Sequence, residues 1–337
     1  MLAVTMATYV ARNWPGDPLW VLTVGPPSTG KTASATLLDT SAHVHSVSSL
    51  TPASLITVYG GVDHDRSLIP TFNEGLVIIK DFGTILTLGF EQTNQVLGIL
   101  REAFDGHVSK DFAPLRREYD VHFGIVAVCT CVADIHASLL QQLGERFLKY
   151  RPEPIQLPWP APQIHPRTKE LVALYVSQLC PPATPPTPKT PLLAHSAELV
   201  AHLRTMPIHD HHLHEIVEIP QFEQPHRLVR QLEKLWAGLY LSTGDAGLAT
   251  RIALKAALDS VPPRRLQLLQ MLFREPNLTT AEITERNGIG STTMRLMLAD
   301  MEALGLLEKE SDGFPKFYTW RVPEGLHAQI TEIFGAI

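Results

Sequence analysis

One stretch of eight residues constrains this chain more than any other: Gly25-Pro26-Pro27-Ser28-Thr29-Gly30-Lys31-Thr32. It fills every fixed position of the pattern G-x-x-x-x-G-K-[ST]. Its flanks are of the required kind. The apolar run Leu19-Trp20-Val21-Leu22-Thr23-Val24 reads as a buried parallel strand, and Ala33-Ser34-Ala35-Thr36-Leu37-Leu38 as the first turns of a helix. Gly25 and Gly30 permit a sharp loop and a close backbone approach to a ligand. Strand, loop and helix together aim backbone N–H groups at one point, where they cradle phosphate. The cradle runs from Gly25 through Pro26, Pro27, Ser28, Thr29 and Gly30 to Ala33. Lys31 then reaches the β- and γ-phosphates and Thr32 holds Mg²⁺.

Such a motif calls for an α/β domain with a parallel sheet, and the flanking chain reads accordingly. Leu2, Met6, Tyr9, Val10 and Trp14 have helical spacing over residues 1–14, stopped by Pro15-Gly16-Asp17-Pro18. This leaves little chain ahead of the motif, either because the chain is a fragment or because it lacks an N-terminal module. Val44-His45-Ser46-Val47 is a second strand. A helix capped by Thr51 with Pro52 at its first position follows, ended by Gly60-Gly61. The run Gly75-Leu76-Val77-Ile78-Ile79-Lys80-Asp81-Phe82 is a strand closing on one acid. Asp81 is placed to hold Mg²⁺ or to orient an attacking water. The other of those two roles is left to Glu74, Glu91 or a residue elsewhere. After a helix over 91–104, residues 107–112 and 119–123 form a hairpin joined by 113–118, its tip carrying Lys110, Arg116 and Arg117. The strand Gly124-Ile125-Val126-Ala127-Val128-Cys129-Thr130 brings Thr130 to its carboxyl end, where a polar side chain can sense a γ-phosphate. Arg146, in the stretch 139–151, is either an arginine finger completing a neighbour's site or a salt bridge to Glu145 or another acid.

This order of segments resembles the AAA+ ATPases, over residues 18–151. Within them it is most similar to the branch with a β-hairpin before sensor 1, which includes the MCM replicative helicases and related phage or plasmid proteins. Leu100-Arg101-Glu102-Ala103-Phe104-Asp105-Gly106-His107-Val108-Ser109-Lys110 resembles that branch's helix-to-hairpin stretch. Gly144-Glu145-Arg146-Phe147 is similar to its Ser-Arg-Phe arginine-finger segment. The resemblance implies ATP bound at subunit interfaces of a homo-oligomeric ring, usually a hexamer, with Lys110, Arg116 or Arg117 touching DNA in the central channel. The single acid at Asp81 departs from the family's adjacent pair.

The second half divides by composition. Residues 152–191 read as a proline-rich linker with one helix over 168–179. Residues 192–260 read as helices broken near Pro207 and Pro220; the AAA+ resemblance implies a helical lid here, with Arg227 and Arg230 as candidates for its sensor-2 arginine. The run His209-Asp210-His211-His212-Leu213-His214-Glu215 lacks the spacing of a closed metal site and reads as a solvated loop or helix segment. Residues 261–323 show three helices, the second starting at Leu278 and the third at Ser291. A hairpin follows over 305–322, the pattern of a winged helix-turn-helix. Ser291, Thr292, Thr293 and Arg295 would meet a groove or phosphates, and Lys309, Lys316 and Arg321 would line the wing. Eight acids balance eight bases between Arg264 and Arg321. That predicts modest DNA binding or, alternatively, a module for protein contacts. Residues 324–337 form a C-terminal helix.

Composition bounds the rest. A net charge of −6 over 337 residues excludes an evenly basic coat protein. No apolar run is long enough to span a membrane, and the N-terminus lacks the charged and apolar regions of a signal peptide. Of the three cysteines, Cys129 and Cys131 alternate on an apolar strand as core residues, with Cys180 in the linker. A reduced, cytoplasmic protein is expected. The function expected is a DNA-acting, Mg²⁺- and ATP-dependent helicase in replication of a phage or mobile element. Two alternatives stand beside it: an ATP-switched initiator or helicase loader with slow hydrolysis, towards which the lone acid points, and an ATP-controlled transcription regulator.

Overall fold

The strand ahead of the glycine loop, β1 (Trp20–Val24), is buried at all five positions, as a strand covered on both faces must be. The computed structural model describes residues 1–59, 64–113, 115–141, 146–153, 164–210, 215–311 and 318–337. They form two units, Met1–Lys189 with Arg230–Ala256, and Thr190–Val229 with Ala257–Ile337.

In the first unit α1 (Leu2–Ala11) precedes β1. Then come α2 (Lys31–Ala35), β2 (Val44–Val47), α3 (Pro52–Leu55), β3 (Leu76–Ile79), α4 (Gly83–Leu86) and α5 (Phe90–Phe104). The hairpin β4 (His107–Phe112) and β5 (Leu115–Asp120) follows, then β6 (Gly124–Cys129), α6 (Val132–Ile135), α7 (Ala137–Gln141), β7 (Leu148–Tyr150) and α8 (Pro166–Gln178). The fold is α/β. Five parallel strands lie in the order β2-β3-β6-β1-β7. Successive side chains alternate between faces. Trp20, Leu22, Val77, Ile79, Ile125 and Ala127 pack with α5 on one face. Leu76, Ile78, Val126 and Val128 pack on the other against Ala35 and Leu38 after the glycine loop, and against Val176 of α8. The helix of the linker region is thus a working part of the core.

β7 was not foreseen in the sequence, because Lys149 interrupts its apolar run. It pairs in parallel with β1, Leu22 opposite Lys149. An aromatic cluster anchors it: Phe147 lies 5.3 Å from Trp20 and 5.5 Å from Phe82 between ring centroids, and the Trp20 indole donates to the Phe123 carbonyl at 2.8 Å.

The β4–β5 hairpin forms with a shorter connection than expected, since residues 115–118 belong to β5. Lys110 pairs with Arg117 and Asp111 with Arg116. Neither arginine is therefore at the tip. Period two puts Arg117 on the face of Val108 and Tyr119, which pack on the core. There it lies 3.7 Å from Asp65. Arg116 faces outward, between Asp111 at 3.6 Å and Glu118 at 2.6 Å. Pro114 lies outside the described residues, as do Gly60 and Gly61.

The region expected to be all helical holds α9 (Leu192–Arg204), a small hairpin of β8 (Ile208–His209) and β9 (Ile216–Glu218), α10 (His226–Thr243) and α11 (Ala246–Asp259). The unit boundary cuts through it: α9 and the hairpin fall in the second unit, most of α10 and α11 in the first. In the first unit α10 packs on α1 so closely that a Cβ on Gly238 would lie 2.5 Å from the Ala7 carbonyl oxygen. Lys234 of α10 donates to the carbonyls of Trp14, Pro15 and Asp17 at 3.2, 3.1 and 2.5 Å, satisfying the turn that ends α1. Arg230 is paired with Asp17 at 2.9 Å, and Arg227 lies in the first turn of α10.

The second unit continues with α12 (Pro263–Arg274), β10 (Leu278–Thr279), α13 (Thr280–Asn287), α14 (Ser291–Ala303), β11 (Glu308–Ser311), β12 (Tyr318–Arg321) and α15 (Glu324–Gly335). Leu278 does not open a helix. It pairs with Trp320 in a three-stranded sheet of order β10-β12-β11, and the helix begins two residues later. Thr279 and Glu282 close a capping box there, and Gly288 ends the helix at φ 61°. Between the end of α9 and α14 the Arg265 guanidinium is buried. It donates to the Leu203 carbonyl at 3.1 Å, the Thr205 carbonyl at 2.5 Å and Asp300 at 2.9 Å. No helix among the described residues is long and apolar enough to cross a membrane.

Candidate functional site

The crevice at the carboxyl ends of β1 and β6 follows from topology. β1 sends the chain toward β2 and β6 sends it toward β7, in opposite directions across the sheet. Right-handed crossovers then place α2 and α6 on opposite faces. The packing agrees: Ala35 clusters with Val126, and Ala133 with Ile125. In open α/β sheets such a switch point is where ligands bind.

The glycine loop occupies this crevice. Gly30 takes φ 74° and Ser28 φ 62°, left-handed turns that bring successive N–H groups to one side. Pro26, Pro27, Ser28, Gly30, Thr32 and Ala33 are exposed, with Thr29 half-buried. Lys31 is buried and folds back over the loop. Its ammonium donates to the Gly25 carbonyl at 2.9 Å, to the Pro26 carbonyl, and to the Thr29 hydroxyl at 3.1 Å. Burial lowers its pKa from the usual lysine value, with the Cys131 and Cys129 thiols opposing that effect. Among the described residues no carboxylate is within ion-pair distance of it. A buried cation held only by neutral oxygens suits an anionic ligand, so the loop's residues fit a phosphate chain. The helix after the loop is short, ending at Ala35 and tightening into a 3₁₀ turn over Thr36–Leu38.

Asp81 and Thr130 stand at the same edge. Val24 pairs with Cys129, which sets Gly25 level with Thr130. Ile79 pairs with Ala127, which sets Asp81 level with Cys129. β6 separates the acid from the loop strand, a lateral gap of roughly 10 Å at two strand spacings. Asp81 is exposed, and its carboxylate accepts from the Gly83 N–H at 3.0 Å in the turn ahead of α4. At that separation Asp81 could reach an anion held in the loop only through an intervening metal ion or water, for which Thr32 on the loop side would be the other candidate ligand.

Two alternatives for the second acid are resolved in position. Glu74 precedes β3 and its backbone N–H donates to the His122 carbonyl ahead of β6, so it sits at the opposite edge of the sheet. Glu91 is exposed in the first turn of α5 and accepts from Gln95 at 3.3 Å. A third acid escaped the sequence reading. Asp134 of α6 takes a two-pronged bond from Arg151 beyond β7, at 2.6 and 3.0 Å. Both flank the strand that carries the loop, and a Cβ on Gly25 would lie 3.9 Å from Pro152. Arg151 was hidden with β7 itself.

Arg146 takes the salt-bridge alternative, with Asp105 as the acid. It donates to both carboxylate oxygens at 2.9 and 2.7 Å and stacks over Phe104 at 5.4 Å. Buried next to Phe147, it staples β7 to the core of its own chain. Glu145 lies outside the described residues. Cys131 is likewise corrected: β6 ends at Cys129, so Cys131 is exposed while Cys129 is buried. Burial, with Asp81 and Asp134 nearby, pushes the Cys129 thiol up to about 11.

In the second unit Ser291, Thr292, Thr293 and Arg295 are exposed on the first turns of α14. Lys309 is exposed on β11, its ammonium 4.3 Å from the Tyr318 ring centroid. Lys316 lies outside the described residues. Arg321 points to the other face of the sheet, held by Glu308 at 2.5 Å and Glu310 at 3.3 Å. Lys110 on β4 has its ammonium 5.3 Å from the Phe112 ring. His209 pairs with Asp300 at 2.7 Å, and residues 211–214 of the histidine run are outside the described residues. Among the described residues no three His, Cys, Asp or Glu side chains group as a metal site.

The fold and this edge define an α/β protein with a five-stranded parallel sheet, compatible with a nucleotide-binding core. No protein-family model matches the chain, and no curated protein matches its sequence.

Proposed function

We propose that this chain is an ATP-dependent, DNA-acting ATPase of the AAA+ type. The observation that carries the reading is the crevice at β1 and β6. A buried, unneutralised Lys31 sits within a left-handed loop there, and Asp81 and Thr130 stand at the same edge. In this reading the loop N–H groups and Lys31 bind the phosphates of ATP. Thr32 and Asp81 hold Mg²⁺, which supplies charge neutralisation on the transferred phosphoryl group. Thr130 faces the γ-phosphate end. The second unit has the helix-strand-helix-helix-hairpin order of a winged helix, which would engage DNA. Assembly into a ring is carried by the family resemblance.

A second reading is an assembly switch with slow hydrolysis. The lone acid favours it: Asp81 has no second acid beside it, Glu74 is at the wrong edge and Asp134 is tied up by Arg151. Steady-state ATPase of wild type and Lys31→Ala, with and without single-stranded DNA, separates the two. Turnover that depends on Lys31 and rises with DNA supports a motor. ATP binding with negligible turnover under both conditions assigns the switch, and no ATP binding at all sinks both.

A further inference from the structure

The balanced charge count between Arg264 and Arg321 hides a segregation that the hairpin creates. Directly opposed residues in an antiparallel pair share a face. Lys309 opposes Trp320, and Ser311 opposes Tyr318. The other face takes Glu308, Glu310, Thr319 and Arg321, its one base neutralised by its two acids. One side of the sheet is therefore aromatic and cationic and the other acidic. On the cationic side, between the sheet and α14, lies a cleft of about 290 Å³ lined by Arg295, Ala299, Lys309, Tyr318 and Trp320.

We propose that this cleft binds one unpaired nucleotide of single-stranded DNA. The proposal rests on the reading of the chain as DNA-acting. The volume is at the low end for small-molecule sites; it admits a ring system and excludes a duplex. Tyr318 is 40% exposed and offers the stacking surface, which is how unpaired bases are held without sequence preference. Trp320 forms the floor, 5% exposed and fixed by its indole N–H donating to the Thr280 hydroxyl at 2.9 Å. Arg295 makes no hydrogen bond or ion pair among the described residues. Among the described residues Lys309 has only the rings of Tyr318 and Trp320, at 4.3 and 5.4 Å. Both cations are available to one phosphate, which outcompetes a ring for an exposed ammonium. Glu302 also lines the cleft and opposes a second phosphate, so the site takes a single nucleotide and does not track a backbone.

The test uses the full chain and a labelled oligothymidylate, read by fluorescence anisotropy. Tyr318→Ala and Arg295→Ala should each weaken binding about tenfold, the scale of losing one base–aromatic stack. Tyr318→Phe should bind as the wild type does. A blunt duplex of equal length should compete at least about tenfold less well than the single strand. An oligonucleotide carrying 5-iododeoxyuridine should cross-link to Tyr318 on irradiation, mapped by mass spectrometry. Unchanged affinity in both alanine variants with cross-links only elsewhere overturns the cleft and leaves the DNA reading standing. Equal competition by duplex reduces the site to phosphate contacts and overturns the unpaired nucleotide. Absence of any DNA binding by the wild type removes both the cleft and the DNA reading.

Discussion

Arg146 shows how one side chain's surroundings decide its role. Its guanidinium is buried while Asp105, its partner, is 55% exposed. Removing one member of a fully buried pair costs about 3–5 kcal/mol. Discounted for the solvent around Asp105, Arg146→Ala should lower stability by about 2 kcal/mol in urea unfolding. A residue serving only a neighbour's site would leave stability unchanged and lose turnover instead. The cysteines give a second check at this scale. Thiolate is the reacting form, and Cys129 is both buried and shifted to about 11. At pH 8 iodoacetamide should modify Cys131 and Cys180 and spare Cys129 until the protein unfolds, as peptide mass spectrometry would read.

Elements are held by a few polar contacts whose loss should be local. The β4–β5 hairpin is tied down where the Tyr119 hydroxyl donates to Asp65 at 2.5 Å and to Ser67 at 3.0 Å, with Arg117 beside the same carboxylate. Burial alone would raise the Asp65 pKa. Its hydrogen bonds from Tyr119 and Ser67, with Arg117, outweigh that and leave it below the usual aspartate value. A depressed folded pKa means the contribution is full above the unfolded value, near 3.9, and is lost as pH falls through the lower folded value. Hydrogen exchange should therefore show β5 amides losing protection below about pH 4 before the central strands do. Asp65→Asn should reproduce that loss at pH 7, and unchanged protection would mean that packing alone holds the hairpin. In the second unit, Thr279→Ala removes half of a capping box and should cost about 1 kcal/mol.

For the whole molecule, the division into two units predicts that damage to one core spares the other. Asp300 accepts from both Arg265 and His209. Asp300→Ala leaves the Arg265 charge buried and should cost about 3 kcal/mol. The loss of amide protection should appear in α9, α12 and α14, while β1 and β6 keep theirs. Equal loss throughout would show a single cooperative block. In the other direction, Mg²⁺ with ATP should raise protection at β1 and β6. At a hundredfold excess over Kd, ligand linkage supplies about 2.7 kcal/mol.

Local features were legible along the chain. Predominantly apolar runs became β1, β3 and β6, the Thr51-Pro52 signal became a capped helix start, and Gly25 and Gly30 marked the loop. Each of these follows from a few neighbouring residues and backbone sterics. The remaining features depend on partners far apart in the chain and emerged only with the fold. β7 is a strand because β1 is beside it, although Lys149 breaks its pattern. Glu74 and Asp81 lie seven residues apart at opposite edges of one sheet, a distinction set by strand direction. Arg117 and Arg146 were legible as bases, and their acids, Asp65 and Asp105, became partners only when the chain closed over them. Charge on the C-terminal hairpin was balanced in count; the period of two and the strand register sorted it onto two faces.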